Sequence, residues 1–264
     1  MLRLQKIQKI FNEGTTDQKI ALQAIDLHLE PGDFVTVIGS NGAGKSTLMN
    51  IISGVMIPDI GTIEIDGKRV NHLKEHQRAP MIGRVFQDPM AGTAPNMTIE
   101  ENLALAYSRD KRRTLRSGIN KQRRTLFREA LESLNLGLEN RLSAKVGLLS
   151  GGERQALSLL MATFTKPKML LLDEHTAALD PARAELITSL TQEIIKDGNL
   201  TAIMVTHNMQ QALDLGNRLI MMDHGRIILE VQHEEKEQLT IDKLLAEFKR
   251  LRGETFASDK AILG

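Results

Sequence analysis

The chain has no cysteine, no tryptophan, one tyrosine and seven phenylalanines among its 264 residues. Without thiols it can form neither a disulfide nor a thiolate metal site, a composition that suits a reducing compartment. So few aromatics leave little material for the stacking platforms that hold single-stranded nucleic acid. Net charge is missing too. With 34 Lys and Arg against 33 Asp and Glu, no global field attracts an acidic partner, and no nucleic-acid partner is expected. Long apolar runs are also absent. The uncharged stretches at 46–58 and 198–213 are too short and too polar to span a bilayer. The opening Met1-Leu2-Arg3-Leu4-Gln5-Lys6 lacks the apolar segment of a secretory signal. What remains is a chain expected in the cytoplasm, long enough for one large domain or two lobes.

The stretch around which the rest is organised is Gly39-Ser40-Asn41-Gly42-Ala43-Gly44-Lys45-Ser46-Thr47. An apolar strand pattern, Phe34–Ile38, precedes it, and a helical pattern, Leu48–Ile52, follows. Strand, glycine-rich turn, Lys-Ser and helix together form a phosphate-binding P-loop in its required context. The glycines let backbone N–H groups aim at phosphate oxygens, and the helix N-terminus adds partial positive charge. Lys45 brings a full charge to the β- and γ-phosphates, and the Ser46 hydroxyl can ligate Mg²⁺. A nucleoside triphosphate is therefore the expected ligand.

Before the loop, Leu2, Leu4, Ile7 and Ile10 suggest one strand, and Ala21–Leu29 alternates as a second. Alternation implies one wet face and an antiparallel layer. Gly61–Val70 reads as a hairpin turning at Asp66-Gly67, and Met81–Phe86 as a short strand. From Asp88 to Thr165 the pattern turns helical. Thr98-Ile99-Glu100-Glu101 is a capping-box sequence heading a helix towards Tyr107, and helical spacing resumes over Phe127–Leu136. Strands at Met169–Leu172 and Thr201–Thr206 then alternate with helices at Pro181–Lys196 and Met209–Leu215, the mark of a parallel sheet. Arg218–Met222 and Arg226–Val231 form a terminal hairpin. A closing helix follows Thr240, with Ile241, Leu244, Leu245, Phe248 and Leu251 on one face.

Met169–Leu172 runs straight into Asp173-Glu174. Ligands bind beyond the carboxyl ends of parallel strands, so these two carboxylates should approach the P-loop. Asp173 can complete the Mg²⁺ shell, leaving Glu174 to polarise a water for attack on the γ-phosphate. His207 closes another strand at the same edge and could hydrogen-bond the γ-phosphate and align that water. Gln87, just past a strand, could reach the metal ion or the water. Leu149-Ser150-Gly151-Gly152-Glu153-Arg154-Gln155 makes a second anion-receptive helix N-terminus, about a hundred residues beyond the first. One nucleotide rarely needs two such cradles in one chain.

Taken together, Gly39–Thr47, Gln87, Leu149–Gln155, Asp173-Glu174, Ala177-Ala178-Leu179-Asp180 and His207 resemble, in order and spacing, the Walker A, Q-loop, signature, Walker B, D-loop and switch histidine of ABC ATPases. The resemblance covers about residues 1–232. It implies an α/β fold: a P-loop NTPase core of RecA type with a mainly parallel sheet, an antiparallel β subdomain and a helical subdomain insert. It places the ATP-binding core at 1–87 and 166–232, the helical subdomain at 88–165 and a helical tail at 233–264. It implies two copies paired head to tail, each ATP lying between one copy's P-loop and Leu149, Ser150, Gly151, Gly152 and Glu153 of the other. It also assigns adenine stacking to Phe11, the D-loop acid to Asp180, catalysis to Glu174, His207, Lys45 and Gln87, and Mg²⁺ to Ser46, Gln87 and Asp173. Two positions depart from the family's usual pattern: Glu153 stands where Gln is common, and His175 where Pro is common.

A single cassette without fused membrane helices resembles the ATPase subunits of bacterial importers for small solutes such as amino acids. Integral membrane permease subunits would dock near Gln87, a substrate-binding protein would act through them, and the chain would sit peripherally on the cytoplasmic side of the membrane. The alternative is a cytosolic ABC ATPase serving an assembly machine of the iron–sulfur or cell-division type. The basic run Arg109, Lys111, Arg112, Arg113, Arg116, Lys121, Arg123 and Arg124 reads first as a solvated surface and second as a contact with anionic lipid.

Overall fold

Alternating sequences open the chain and form the layer expected of them. In the computed structural model, which describes residues 1–109, 111 and 118–251, the chain divides into two units. The first comprises Met1–Ile52, Met56–Asn71 and the described part of Met204–Gly264; the second comprises Ser53–Val55 and His72–Ile203.

In the first unit, strands β1 (Leu2–Phe11) and β2 (Lys19–Leu29) pair antiparallel. The inward period of β1 breaks between Leu4 and Ile7. A bulge there, with Lys6 at φ 51° and its N–H donated to Asp26 Oδ1 at 2.9 Å, returns Ile7 to the buried face. β4 (Ile60–Ile65) and β5 (Lys68–Arg69) complete a sheet of order β2-β1-β4-β5. Asp66 and Gly67, with φ of 53° and 73°, make the expected tight hairpin turn of type I′.

Also in the first unit, β3 (Phe34–Gly39) is apolar except at Thr36 and buried from Phe34 to Ile38, because neighbours cover both of its faces. β9 (Arg218–Asp223) runs parallel to it, and β10 (Arg226–Gln232) turns back antiparallel through His224 and Gly225, at φ 45° and 77°. Helix α1 (Lys45–Ser53) buries Leu48, Met49, Ile51 and Ile52, each worth roughly 1.5–3 kcal/mol of apolar transfer. Helix α7 (Met209–Asp214) packs near β3, where Thr36 Oγ1 donates to Ala212 O at 2.8 Å. Arg218 is buried, donates to His28 O at 2.8 Å and pairs with both Asp33 and Glu230. Burial opposes its charge, but the two carboxylates outweigh burial and raise its pKa. A short helix, α8 (His233–Glu237), leads to the expected closing helix over 241–251. Thr240 caps it through Lys243 N at 3.3 Å, and Leu244 and Phe248 join the cluster of Ile38, Leu219 and Met221.

In the second unit, β6 (Ile82–Val85) and β7 (Met169–Asp173) pair in parallel, with Val85 opposite Leu172. β8 (Thr201–Val205) is buried throughout and carries the chain from this unit into the first. A four-residue helix, α2 (Glu75–Arg78), precedes β6. Thr98 and Glu101 form the capping box of α3 (Ile99–Tyr107) as the sequence suggests. Helix α4 (Lys121–Glu132) begins at its Asn120 cap, earlier than the apolar spacing from Phe127 implied, because its first turn carries only polar side chains. Tyr107, Phe127 and Phe164 meet edge to face with centroids 5.8–6.2 Å apart. Helices α5 (Gly151–Thr163) and α6 (Pro181–Asp197) complete this unit. Of the basic run, Arg124 pairs with Glu100 at 2.7 Å, and Arg112, Arg113 and Arg116 lie outside the described residues. Among the described residues no helix is long and apolar enough to cross a membrane.

Candidate active site

The expected site residues fall in both units. In the first, β3 delivers the chain into the loop at Gly39, whose φ is 153°. A Cβ built there would lie 2.2 Å from Met222 O, so only glycine fits. Lys45 is buried and reaches back across the loop, donating from Nζ to Gly39 O at 2.7 Å and Ser40 O at 3.1 Å. Its ammonium is thereby held at the loop rather than left to solvent, while Ser46 in the same helical turn is exposed.

His207 stands one residue beyond Thr206, whose N–H donates to Val37 O at 3.1 Å, and so reaches the same end of β3 as the loop. The Thr206 hydroxyl accepts from Asn208 N at 3.1 Å and bonds to Gln211 Oε1 at 2.8 Å, while Asn208 caps α7. A small pocket of about 150 Å³ brings Gly39, Ser40 and His207 together with Ile38, Met209, Met221 and Phe248. Phe11 ends β1 opposite Lys19, whose Nζ lies 4.0 Å from a Cβ built at Gly42. The Lys9 ammonium lies 5.9 Å from the Phe11 ring centroid.

In the second unit, β7 carries Leu170, Leu171 and Leu172 fully buried and then ends in Asp173 and Glu174. Glu174 adopts φ 46°, a left-handed conformation that costs a non-glycine residue about 1 kcal/mol and turns the chain off the strand axis. Its carbonyl accepts from Ala177 N at 3.0 Å, closing the turn. The β6–β7 register pairs Val85 with Leu172, so Gln87 follows β6 at the same end where Asp173 and Glu174 follow Leu172. Arg84 Nη2 lies 3.4 Å from Asp173 Oδ2, Nη1 is 3.3 Å from Ser53 Oγ, and the guanidinium lies over the Phe86 ring at 4.7 Å. Buried Gln155 donates from Nε2 to Phe86 O at 3.2 Å, fixing the backbone just before Gln87. Arg84 was missed in the sequence, and Gln155 was read only as the end of the signature stretch, not as a support for the Gln87 loop. The available signal was a charged residue inside an apolar strand and a glutamine on the buried stripe of a helix.

His175 follows Glu174 and is 2% exposed, its Nε2 lying 3.0 Å from Thr191 Oγ1. Thr191 donates its own proton to Ile187 O at 2.7 Å, so its oxygen must accept from His175 and the imidazole carries its hydrogen on Nε2. Burial lowers the His175 pKa to about 4, keeping it neutral near pH 7. This histidine fastens the segment behind Glu174 to α6.

Ser150 caps α5. Its hydroxyl oxygen accepts from Glu153 N at 3.3 Å, and Glu153 Oε2 accepts from Ser150 N at 2.7 Å. Arg141 Nη1 donates to Glu153 Oε1 at 2.6 Å. Burial works against ionising Glu153, but the bonds from Ser150 and Arg141 outweigh it and hold the carboxyl below its usual pKa. Arg154 donates to Val146, Gly147 and Leu149 carbonyls at 2.9–3.3 Å, fixing the loop that leads into the cap. Cβ positions built at Gly151 and Gly152 meet Leu179 at 3.5 Å and Arg183 at 3.0 Å, so this helix N-terminus lies beside Asp180, the cap of α6. Among the described residues no group of three or more His, Asp or Glu could hold a metal ion.

Residues 22–177 match the family described as ABC transporter. Over 249 residues the chain is 43% identical to a tyrosine transport ATP-binding protein of Clostridioides difficile (strain R20291), covering 94% of this chain and 99% of that protein. It is 35% identical over 234 residues to the methionine import ATP-binding protein MetN of Bartonella henselae, covering 87% of this chain but only 64% of that relative's length. Among solved structures it resembles a dimeric, post-hydrolysis ATP-binding cassette bound to ADP and phosphate. That match has a TM-score of 0.75 and 29% identity over 88% of this chain and 98% of the other.

Proposed function

Because the chain belongs to the ABC transporter family, as an ATP-binding subunit that hydrolyses ATP, we propose that it powers import of an aromatic amino acid, tyrosine, through separate membrane permease subunits. Its fold is that of an ABC cassette, mixed α/β with an antiparallel β layer and a parallel core sheet. The observation that carries the solute is the 43% identity to the tyrosine transport protein over nearly the whole of both chains. The solute itself never touches a cassette, so its chemistry enters by likeness alone.

In this reading the ATP-binding core is 1–87 and 166–232, the helical subdomain is 88–165, and 233–264 is a tail. Residues Gly39–Thr47 hold the phosphates, with Lys45 neutralising charge on the β- and γ-phosphates. Phe11 stacks on adenine. Ser46, Asp173 and Gln87 offer a hydroxyl, a carboxylate and an amide oxygen, the hard donors that suit Mg²⁺, which would screen phosphate charge when bound. Glu174 orients and deprotonates the attacking water, and His207 holds that water and the γ-phosphate in line. Two copies pair head to tail, so that Leu149–Glu153 of each faces the other's nucleotide and Asp180 lies at the seam; a dimeric cassette among the similar structures supports such pairing. The permease subunits dock near Gln87 on the cytoplasmic side of the membrane, and a substrate-binding protein acts on their far face.

The test is labelled-tyrosine uptake in vesicles holding this chain and its co-purified membrane subunits. ATP-driven uptake that fails with Glu174→Gln is the expected result. Hydrolysis with no tyrosine uptake would overturn the solute, and a stable complex with soluble partners only would favour an assembly ATPase.

A further inference from the structure

Beside the phosphate loop lies a carboxylate to which no role above is given. Asp223 closes β9, is 4% exposed, and uses both oxygens: Oδ1 accepts from Ser40 Oγ at 2.8 Å, and Oδ2 lies 2.7 Å from His224 Nδ1. The backbone on either side of it engages the same loop. Gly225 N–H donates to Ala43 O at 3.0 Å, and Met222 O occupies the space a side chain on Gly39 would need. The turn is itself held by β2. Gln23 N–H donates to Gly225 O at 2.8 Å, and the Gln23 side chain donates to His224 O at 2.9 Å and accepts from Arg226 Nε at 2.9 Å. The hairpin between β9 and β10 thus touches the loop at residues 39, 40 and 43.

A loop that must present several N–H groups to one anion binds best when its conformation is fixed beforehand, since ordering it during binding subtracts from affinity. A buried acid beside an anion site is unfavourable in itself, so its presence calls for a compensating role; here its charge is taken up by the Ser40 hydroxyl and His224. We infer that Asp223 is a positioning residue for ATP: by fixing Ser40 it holds the phosphate loop ready for the nucleotide. This rests on Gly39–Thr47 being the phosphate cradle.

The experiment measures ATP affinity by calorimetry, steady-state ATPase kinetics and thermal stability on the full chain, for Ser40→Ala, Asp223→Asn, Asp223→Ala and the Ser40→Ala/Asp223→Ala double variant. Ser40→Ala and Asp223→Ala are each expected to raise the Kd and KM for ATP roughly tenfold, the loss of one charge-assisted hydrogen bond, and Asp223→Ala is expected to keep kcat at saturating ATP. The double variant should be no weaker than the weaker single, and Asp223→Asn, which keeps an acceptor for the Ser40 hydroxyl, should recover most of the affinity. Unchanged KM in Ser40→Ala overturns the inference, even if Asp223→Ala fails to fold. So does a fall in melting temperature and kcat with KM unchanged, or full additivity in the double variant. Lys45→Ala separates the two levels. Wild-type affinity in Lys45→Ala removes the cradle reading itself, whereas its loss alongside intact Ser40→Ala and Asp223→Ala removes only the role of Asp223.

Discussion

Lowering the pH should destabilise this protein through His175, by an amount the structure sets. The ring is 2% exposed and neutral, and burial lowers its pKa from 6.5 to about 4. The unfolded chain therefore takes up a proton on this residue below pH 6.5 while the folded chain does not until about pH 4. A depressed folded pKa means stability present above 6.5 is lost as pH falls towards 4. The loss is at most about 1.4 kcal/mol per pH unit, reaching about 2 kcal/mol by pH 5 and about 3 kcal/mol in full. The control is His175→Gln, whose amide can still donate to Thr191 Oγ1 but does not titrate. Urea unfolding of both proteins from pH 7.5 to 4.5 isolates the residue, because every other titrating group cancels in the difference. The wild type should lose stability faster than the variant across this window, and the ¹⁵N shifts of the His175 ring at pH 7 should report a hydrogen on Nε2. Parallel stability curves would refute the reasoning.

Replacing Glu174 by Gln should leave ATP binding intact and cut turnover on the order of a hundredfold or more, as for loss of a general base; near wild-type hydrolysis would remove Glu174 from the chemistry. Arg218→Ala should lower the unfolding free energy by about 3 kcal/mol, since it strands buried Asp33 beside Glu230, and a urea midpoint that hardly moves would show the triad contributes little. Gly39→Ala forces a Cβ to within 2.2 Å of Met222 O and should cost about 2 kcal/mol or more of stability and most ATP binding, read by calorimetry and thermal melts; intact binding would mean the loop relaxes freely.

Much of this was legible before any coordinates. The loop at 39–47 declares itself because glycines, a lysine and a hydroxyl at fixed offsets answer to one ligand chemistry. The hairpins at Asp66-Gly67 and His224-Gly225 announce themselves through residues that tolerate positive φ, and the structure has both. The Thr98 helix start follows from the reciprocal bonding of a hydroxyl and a glutamate three residues on; the Ser150 start was read from a serine before two glycines, and the structure adds the same reciprocal bonding with Glu153. Other features depend on partners far away in the chain. Arg84 meets Asp173 across 89 residues, and Asp223 meets Ser40 across 183, so no local pattern exposes either pair. The early start of α4 was hidden because Lys121–Thr125 bury nothing. His175 looked like an aberrant residue where proline is usual, until its burial against Thr191 gave it a structural task.

The cap at Ser150 uses both sides of its hydroxyl. Its oxygen receives Glu153 N–H, and its hydrogen goes to the Glu153 carboxylate. Aspartate would begin the helix equally well, but it would bring a negative charge and no proton. Ser150→Asp therefore separates the cap from the phosphate contact proposed for Ser150: the fold would persist, and a triphosphate held there as proposed would meet repulsion.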